Sequence, residues 1–383
     1  MKTDFLEKEL QELKNSGKYR SLKALDSPQG REILLNGKQV LNFCSNDYLG
    51  LANDERIKQA TLEAIKEYGL GAGASRLVCG NMVPHEKLEE DLAQLKKTES
   101  ALAYSSGYMA NAGIIPALMD RHSVVLSDKL NHASIIDGII LSRAKLVRYP
   151  HGDMQALQDT LKDIPTSTRK LIVTDSIFSM DGDRAPLKDI VRLAHRYEAM
   201  VMVDEAHAFG VLGALGGGLV EELGLGAEID IQMGTLSKAA GCMGAYVCAT
   251  KTLRAYLINK SRSFIYTTAI PPALAQAARV ALLIIQEGGH LRRRLQENAD
   301  YLRGQLQKMG YDTMNSSTPI IPVQVKDSAQ AVAMSQRLLE RGILGQAIRP
   351  PTVPVGKARI RLTVMATHTR EDLDSLLNAM KRI

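Results

Sequence analysis

Residues 200–210 read MVMVDEAHAFG, a short apolar run that ends in ionisable and small residues. The run has the length of a fully buried strand and is bounded by polar sequence. Two similar stretches flank it, LIVTDSIFSMDGD at 171–183 and IQMGTLSKAAG at 231–241. A helical pattern at 186–198 separates the first two strands, as in a parallel sheet whose crossovers are helices. These stretches predict an α/β fold with a mostly parallel central sheet.

The same alternation of helix and short strand extends over about residues 54–250. The further helices predicted there are 84–96 and 108–118, and the further strands are Ala101–Tyr104, Val124–Leu126 and Ala245–Cys248. No internal repeat or low-complexity linker interrupts this region. We therefore assign 54–272 to one large α/β domain.

The two ends of the chain carry different patterns. Residues 1–16 predict an amphipathic helix that ends at Gly17, and 32–43 predict a hairpin that turns at Asn36-Gly37. The C-terminal pattern is a helical stretch at 273–308, strands at 320–325, 343–349 and 358–364, and a helix at 370–381. We assign 1–53 to an N-terminal helix and hairpin segment, and 273–383 to a long helix with a small α+β domain.

Composition excludes several classes of function. The 383 residues are 45% hydrophobic and 23% charged, as in ordinary soluble proteins. The net charge of +6 could attract an anionic substrate such as a phosphate or a CoA ester. The longest basic run is Arg292–Arg294, which fits a solvated helix face, so we expect no nucleic-acid partner.

Cysteine usage and hydropathy suggest a compartment. The four cysteines show no metal-ligand spacing with a histidine, so we expect no metal, and their pattern fits the reducing cytoplasm. Gln276 and Arg279 interrupt the longest apolar stretch, 273–285, and the charged N-terminus lacks the apolar run of a signal peptide. We therefore expect no membrane partner.

Ionisable side chains directly follow two of the predicted strands. Asp204 and His207 come after the strand at 200–203, and Lys238 comes after the strand at 231–233. Ligands bind beyond the carboxyl ends of parallel strands, so we expect these side chains at one site. A lone loop lysine is usually a surface residue, and a lone strand-end aspartate is usually a cap. Together they fit pyridoxal phosphate (PLP), which needs a lysine amine for attachment and a carboxylate that keeps its ring nitrogen protonated.

A phosphate group needs backbone N–H donors, which a helix N-terminus supplies. The strand at 101–104 is followed by Ser105, Ser106 and Gly107 and then by a helix. This turn is the candidate phosphate site, although the pattern also fits a plain strand-to-helix turn. His132, in the stretch DKLNHASIIDG, could stack on the cofactor ring or could only begin a helix.

These motifs, in this order, resemble the α-oxoamine synthase family of fold-type I PLP enzymes. The matching stretches are NFCSNDYLGL (42–51), SGYMAN (106–111), NHAS (131–134), FSMDGD (178–183), DEAH (204–207), GTLSK (234–238) and IYTTAIPP (265–272). The segment AIRPPTVPVGKARIRLT (347–363) is most similar to the 8-amino-7-oxononanoate synthase branch of the family. The resemblance implies a fold-type I PLP transferase with a large domain and a small C-terminal domain.

The resemblance also implies roles for single residues. Lys238 would bind PLP covalently and carry the substrate α-proton, Asp204 would pair with the ring nitrogen, and His132 would stack on the ring. The other implied cofactor contacts are Gly107, Tyr108, Ser179, His207, Thr235 and Thr268, with Thr268 or Thr267 reaching the phosphate of a neighbouring subunit. The implied substrate contacts are Arg20, Asn46, Thr352 and Arg361, with Arg361 on the amino-acid carboxylate. Without the resemblance, Arg359 and Arg361 could equally be an exposed pair on a strand.

The activity implied is a decarboxylative condensation of L-alanine with pimeloyl-CoA or pimeloyl-acyl carrier protein in biotin biosynthesis. A cytoplasmic homodimer with shared active sites would carry it out. Three alternatives stay open: a glycine C-acetyltransferase or another α-oxoamine synthase, a dinucleotide-dependent oxidoreductase, and a non-catalytic paralogue that serves as a partner subunit. The intact lysine, aspartate and histidine argue against the last. Phe209 stands near DEAH where many of these synthases carry a smaller polar residue, which leaves the acyl-chain preference open.

Residues 69–76, GLGAGASR, also match the glycine fingerprint of a dinucleotide-binding turn, with acidic residues at 89–91 in the place of a ribose partner. That fingerprint needs a strand before it and a helix at its third glycine, but the preceding TLEAIKEY has helical spacing. We therefore expect these glycines to form the C-cap of one helix and a close-packed loop in the active-site wall. Ser75 or Arg76 would line the substrate entry, and 89–91 would lie on a solvent-facing helix surface.

Overall fold

The computed structural model describes residues 2–383 of the chain. Its helices are α1 (Asp4–Asn15), α2 (Glu55–Tyr68), α3 (Val83–Lys96), α4 (Gly107–Leu118), α5 (Ala133–Ser142), α6 (Met154–Lys162), α7 (Leu187–Tyr197), α8 (Leu219–Glu222), α9 (Lys251–Lys260), α10 (Arg262–Ile265), α11 (Pro272–Glu287), α12 (Gly289–Lys308), α13 (Ser328–Glu340) and α14 (Arg370–Met380). Its strands are β1 (Glu32–Leu35), β2 (Lys38–Asn42), β3 (Ser100–Tyr104), β4 (Val124–Asp128), β5 (Lys145–Tyr149), β6 (Lys170–Asp175), β7 (Met200–Asp204), β8 (Ile231–Thr235), β9 (Ala245–Ala249), β10 (Ile320–Lys326), β11 (Ile343–Leu344), β12 (Gln346–Ile348) and β13 (Ala358–Thr363). The predicted α/β class is confirmed.

The larger of two compact units comprises Asn46–Ser179 and Asp183–Arg294. Its centre is a seven-stranded sheet with the order β3-β9-β8-β7-β6-β4-β5. β9 is antiparallel to both of its neighbours, and the other strands pair in parallel. The mostly parallel sheet predicted from the sequence is therefore confirmed. The edge strand β5 was not predicted, because KLVRY keeps its charged residues exposed and lacks the apolar run of a buried strand.

The core of the larger unit forms where helices α4 and α5 pack on this sheet. Ile114 on α4 and Ile139 on α5 are fully buried, together with Leu171, Met202 and Ile231 on three neighbouring strands. Each such side chain contributes about 1.5–3 kcal/mol by leaving water. The apolar runs that predicted the strands are thus the residues that fix the strand ends in space.

The smaller unit comprises the segment up to Ser45, Met180–Gly182 and Leu295–Ile383. One sheet has the order β10-β13-β12 and is antiparallel. The other joins the β1–β2 hairpin to β11, which runs parallel to β2. The predicted hairpin turn is confirmed, since Asn36 and Gly37 take φ values of 52° and 70°, the left-handed pair that a two-residue turn requires.

Two C-terminal predictions need correction. The helical stretch predicted at 273–308 is two helices, α11 and α12, because α11 ends at the C-cap Gly288. The strand predicted at 343–349 is also two, since β11 and β12 join different sheets. A single sequence run gives no sign of which sheet each half joins. The domain boundaries at 53/54 and 272/273 stay a prediction.

Helix α1 confirms the predicted N-terminal helix. It has no buried residue, and its apolar side chains Phe5, Leu6, Leu10 and Leu13 are exposed. Across residues 2–383, no helix combines the length and apolarity that a membrane crossing needs.

Candidate active site

The carboxyl ends of β6, β7 and β8 lie side by side in the larger unit. Asp175 at the end of β6 is paired with Asp204 at the end of β7, and Asp204 is paired with Met233 on β8. Nearly every residue of these strands is buried. Polar side chains here are removed from water and depend on hydrogen bonds within the protein.

Asp204 is held at the end of β7 by two donors. The Asn111 Nδ2 donates to its Oδ2 at 2.9 Å, and the Ala206 backbone N–H donates to its Oδ1 at 2.9 Å. The neighbouring Asp175 is fully buried, and burial together with the Asp204 charge raises the pKa of Asp175 well above its ordinary value. The two carboxyl groups therefore share one desolvated end of the sheet.

His132 precedes α5 and is tied to the same strand ends. Its backbone N–H donates to Asp175 Oδ2 at 2.7 Å, and its Nδ1 lies 2.7 Å from the Ser134 hydroxyl. Burial lowers the pKa of His132, while the charge of Asp204 raises that pKa and the charge of Lys238 lowers it. Because both charges act on the ring, the three groups lie in one electrostatic neighbourhood.

Lys238 lies half-buried in the turn after β8 and ends a chain of polar contacts. Its Nζ is 3.0 Å from His207 Nε2, and His207 Nδ1 is 2.6 Å from the Tyr48 hydroxyl. That hydroxyl lies 3.4 Å from Asn46 Oδ1. A protonated Lys238 donates to Nε2, so the ring proton of His207 sits on Nδ1 and points to Tyr48.

The turn that carries Lys238 is closely packed. Gly241 has φ +64°, and a Cβ atom there would lie 2.4 Å from the Ala52 backbone nitrogen. At Gly210, which has φ +76°, an added Cβ atom would lie 2.6 Å from the Ala239 Cβ. Larger residues would displace this turn, so the small residues around Lys238 fix the position of its amine.

Thr235, the last residue of β8, is hydrogen-bonded within the same turn. Its Oγ1 donates to the Gly244 carbonyl at 3.0 Å and lies 2.7 Å from the Ser237 hydroxyl. Its side chain braces the turn that presents Lys238.

The N-terminus of α4 is the predicted phosphate site. Ser106 caps the helix, with its Oγ accepting from the Met109 N–H at 3.2 Å. An added Cβ at Gly107 would lie 3.3 Å from Met233 Cε, so a side chain there would crowd the strand end. Tyr108 is exposed, and its hydroxyl donates to the Asp137 carboxylate. The open N–H groups of this first turn suit a phosphate.

Thr268 and Ser179 both lie outside the helices and strands. Thr268 is exposed, and its backbone carbonyl accepts from the Ser105 hydroxyl at 3.4 Å. It also pairs with Ser75 in an isolated bridge. Ser179 is half-buried in the loop after β6.

The glycine-rich loop differs in part from expectation. Gly69, with φ +77°, caps α2 as predicted. The Arg76 guanidinium is largely buried and pairs with Glu89 at 2.9 Å, and its place at a substrate entry stays a prediction. Glu89 also pairs with Arg254 at 2.7 Å, so placing Glu89 on a solvent-facing surface was wrong. An ion pair with a residue 165 positions away leaves no trace in local sequence.

The smaller unit holds the other predicted substrate residues. Arg361 lies on β13, is only 6% exposed, and donates to the Thr363 hydroxyl at 2.8 Å. Arg20 and Thr352 are exposed and lie together, with Arg20 Nη2 donating to Thr352 Oγ1 at 3.2 Å.

The two arginines of β13 are not an exposed pair. Arg359 is 2% exposed and forms an ion pair with Asp181, and burial lowers the pKa of Arg359 to about 10. Cys44 is close enough to Arg361 for the two groups to interact electrostatically, which the sequence did not indicate. Burial raises the pKa of the Cys44 thiol to about 12, and the Arg361 charge lowers it. Arg359 is therefore committed to Asp181.

The family described as aminotransferase class I and II matches residues 38–380. The chain belongs to this family. The 8-amino-7-oxononanoate synthase of Geobacter sulfurreducens is 52% identical over 377 residues, which cover 98% of this chain and 96% of that protein. A structure of SPT with the PLP internal aldimine has a TM-score of 0.94 at 33% identity, covering 100% of this chain and 97% of that chain.

A solved structure from the predicted branch is also similar. The crystal structure of 8-amino-7-oxononanoate synthase from Francisella tularensis gives a TM-score of 0.78 at 30% identity, covering 90% of this chain and 97% of that chain. The predicted fold-type I architecture, the predicted branch of PLP-dependent acyltransferases and PLP as the cofactor are confirmed.

The residues of this family member fit PLP chemically. A half-buried lysine amine, a buried strand-end carboxylate and a capped helix N-terminus match the aldehyde, the ring nitrogen and the phosphate of the cofactor. Three further residues were missed: Tyr48, Asn111 and Ser134. Each lies in one of the motifs that match the family. Tyr48 contacts His207, and Asn111 contacts Asp204 and Ser134, so their partners are distant in sequence or on a separate helix and the spacing gave no signal.

Proposed function

We propose that the protein condenses L-alanine with a pimeloyl thioester to give 8-amino-7-oxononanoate. The observation that carries the proposal is the contact of Lys238 Nζ with His207 at 3.0 Å, beside the Asp204 strand end. It occurs in a chain whose curated relatives are 8-amino-7-oxononanoate synthases at 46–52% identity. This set of groups supports proton transfer at the α-carbon of an amino acid.

When bound, PLP supplies an electron sink that makes the amino-acid α-carbon acidic. Around it, the Asp204 carboxylate would hold a proton at the ring nitrogen, and the N–H groups at Gly107 and Tyr108 would bind the phosphate. His132 would stack on the ring, and Ser179, His207 and Thr235 would supply further polar contacts. The fixed hydrogen bonds of Asp204 and His132 support these assignments, because preorganised groups need no rearrangement on binding.

Lys238 is the group that moves the proton. Its Nζ would hold the cofactor covalently at rest, and during the reaction the same amine would take the α-proton of alanine and return a proton to the product. A C–C bond forms between the alanine α-carbon and the thioester carbonyl, the C–S bond breaks, and the alanine carboxyl leaves as CO₂. The thiol of CoA or of the acyl carrier protein is the other leaving group.

The substrate contacts follow from the chemistry of the side chains. Arg361 is a planar guanidinium on a buried strand and suits the alanine carboxylate. Arg20 and Thr352 are exposed polar groups that suit the acyl substrate. Asn46, at the end of the Tyr48 chain, is a further polar contact for substrate.

The active form we propose is a cytoplasmic homodimer with shared sites. Exposed large apolar side chains mark a subunit interface where they form one contiguous patch. The larger unit exposes Leu62, Leu70, Leu77, Val78, Val83, Met243, Tyr266 and Leu283, which are candidates for such a patch. Thr268 is exposed near these residues in sequence and would reach the neighbouring subunit's phosphate. The four free cysteines fit a reducing compartment.

An activity matrix tests the proposed reaction. Purified protein is assayed with L-alanine or glycine against acetyl-CoA, pimeloyl-CoA and pimeloyl-acyl carrier protein, and the ketone products are identified by mass spectrometry. We expect the alanine–pimeloyl product to dominate. Turnover of glycine with acetyl-CoA alone would instead make the protein a glycine C-acetyltransferase.

A lysine variant tests the residue assignment. Lys238→Ala is expected to lose the visible absorbance of lysine-bound PLP and to lose activity, because no other residue of this turn carries an amine. Lys188→Ala, at an exposed position of α7, is the matched control and should retain both. Wild-type turnover by Lys238→Ala would refute the assignment.

A further inference from the structure

Two buried residues outside the predicted set connect Asp204 to His132. Asn111 on α4 and Ser134 on α5 are each 1% exposed. The Asn111 amide nitrogen is 2.9 Å from Asp204 Oδ2 and 2.9 Å from Ser134 Oγ. Ser134 Oγ in turn lies 2.7 Å from His132 Nδ1. One amide group thus reaches both the strand-end carboxylate and the histidine.

The direction of each hydrogen bond is fixed by chemistry. An ionised carboxylate only accepts, so the NH₂ of Asn111 must face Asp204, and its second hydrogen points to Ser134 Oγ. Because that oxygen accepts from Asn111, the Ser134 proton is free to be donated to His132 Nδ1. The Ser134 backbone N–H is directed to the same nitrogen at 3.3 Å. His132 Nδ1 is therefore an acceptor, and the proton of the neutral ring lies on Nε2.

The environment of the amide opposes the reverse orientation. Turning the Asn111 side chain over would place its oxygen against the Asp204 carboxylate, where two acceptors repel. In residues 2–383, the Asn111 Oδ1 has no hydrogen-bond partner, although it is buried. An unpaired buried acceptor costs free energy. The two hydrogen bonds that the Asn111 NH₂ group donates, to Asp204 and to Ser134, account for this orientation of the amide.

We propose that Asn111 and Ser134 are positioning residues that fix His132 as the Nε2–H tautomer and link its orientation to that of Asp204. This inference rests on the proposed function, in which both groups face the cofactor ring. Through these hydrogen bonds, His132 presents a neutral ring whose orientation is set by Ser134 on α5. Its Nδ1 accepts hydrogen bonds and does not exchange protons. A change at Asn111 would then alter His132 without touching it.

The test reads the tautomer directly. Nitrogen-15 NMR of histidine-labelled full-length protein, with and without PLP, reports which ring nitrogen carries the proton. The chain has eight histidines, and a His132→Gln spectrum identifies the relevant signal. We expect the Nε2–H form in the wild type, and a mixture of both tautomers in Ser134→Ala and also in Asn111→Ala.

Matched variants separate the effect of these hydrogen bonds from a general packing effect. Ser142→Ala removes another buried hydroxyl of α5, which donates to the Ile139 carbonyl at 2.6 Å, and should leave the His132 signal unchanged. Ser134→Thr keeps the hydroxyl and should restore the Nε2–H form. Thermal unfolding identifies any variant that does not fold, in which case Ser134→Cys replaces Ser134→Ala.

The kinetic consequence is a lower turnover with little change in binding. Loss of one positioning hydrogen bond should reduce kcat about 5- to 10-fold, with KM within about 2-fold of the wild type. An unchanged His132 tautomer in both Ser134→Ala and Asn111→Ala would overturn the proposal. The NMR readout does not depend on the substrate, so a failure of the proposed reaction would show in the activity matrix and not here.

Discussion

The reactivity of a half-buried lysine depends on which neighbours share its proton. Lys238 has His207 at 3.0 Å, and His207 has Tyr48 at 2.6 Å on its other nitrogen. Tyr48 is 1% exposed, so this second contact is shielded from water. By accepting a hydrogen bond from the Nδ1 proton, the tyrosine stabilises the His207 tautomer whose Nε2 faces the lysine amine.

Tyr48→Phe should lower kcat about 10-fold, because loss of one buried hydrogen bond of about 1–1.5 kcal/mol frees His207 to change tautomer. Steady-state kinetics measures the effect. The control is Tyr246→Phe, at a buried hydroxyl that has no hydrogen-bond partner in residues 2–383, and it should be nearly neutral. Equal effects of the two substitutions would remove Tyr48 from the mechanism.

Residue-level prediction from sequence succeeded where the signal was local. Asp204, His207 and Lys238 directly follow apolar runs, and sheet geometry alone brings strand ends together. Tyr48 could not be found in this way, since its partner His207 is 159 positions away. The assigned roles of all these residues stay predictions for the experiments above.

At the scale of elements, the site depends on turns that admit no larger residue. The turn after β8 lies so close to the backbone at Ala52 that a Cβ on Gly241 would lie 2.4 Å from the Ala52 nitrogen. The sequence shows small residues around Lys238, but only the structure shows that they pack against the backbone at Ala52.

Gly241→Ala should lower the Tm and weaken PLP binding. The left-handed backbone costs about 1–2 kcal/mol for any side chain, and the clash with Ala52 adds about 1–3 kcal/mol. Gly224→Ala is the matched control, because Gly224 has φ +68° and open space around it, so it carries the strain without the clash. Thermal unfolding and PLP titration compare the two, and an equal loss would show that the close contact has no effect.

The loop after β7 is anchored by a buried ion pair. Glu205 follows Asp204 directly, yet its carboxylate faces α3, where it pairs with Lys96 and accepts from the Val220 N–H at 2.9 Å. Both side chains are at most 1% exposed. The glutamate of the DEAH motif thus holds the element that presents Asp204 and His207.

Lys96→Met should destabilise the protein by about 3–5 kcal/mol, because it leaves the Glu205 charge buried and unpaired. Denaturant unfolding measures the loss. The double variant Lys96→Met/Glu205→Gln removes both charges and should recover a large part of the stability. A double variant that is as unstable as the single one would contradict this explanation.

For the molecule as a whole, stability should depend on pH through His151. Its Nδ1 contacts Asp128 at 3.0 Å and its Nε2 contacts Asp183 at 2.7 Å, so one ring joins the end of β4 to the loops after β5 and β6. Burial lowers the pKa of His151, but the hydrogen bonds to Asp128 and Asp183 outweigh it and raise the pKa to about 10. The charged ring is the form that bridges the two carboxylates.

The folded pKa of His151 lies above its ordinary value of 6.5, so the bridge contributes its full stability below about pH 6.5 and loses it as the pH rises through about 10. His151→Gln should therefore lower the Tm most near pH 6, and the difference from the wild type should shrink towards pH 10. His195→Gln, which removes an exposed pairing with Glu228, should have little effect throughout. A Tm difference that does not vary with pH would exclude the bridge.

Sequence predicted most strands of the larger unit because each is a short buried apolar run, and most of them pair with a strand that is next or next but one along the chain; β3, which pairs with β9, is the exception. It did not predict the composition of the smaller unit, where β2 pairs with β11 and the segment Met180–Gly182 belongs with both chain ends. Such pairings depend on the folded shape of everything between them. Hydrophobic periodicity identifies each strand but not its partner.

The pairing of Leu41 with Ile343 has a consequence for biosynthesis. The N-terminal hairpin leaves the ribosome early, but its third strand follows only about 300 residues later, roughly 15–60 s at ordinary rates of translation. During that interval β2 has an unpaired edge, and the hairpin alone is too small to be stable. The larger unit, which ends at Arg294, is therefore synthesised in full before the third strand of this sheet is available.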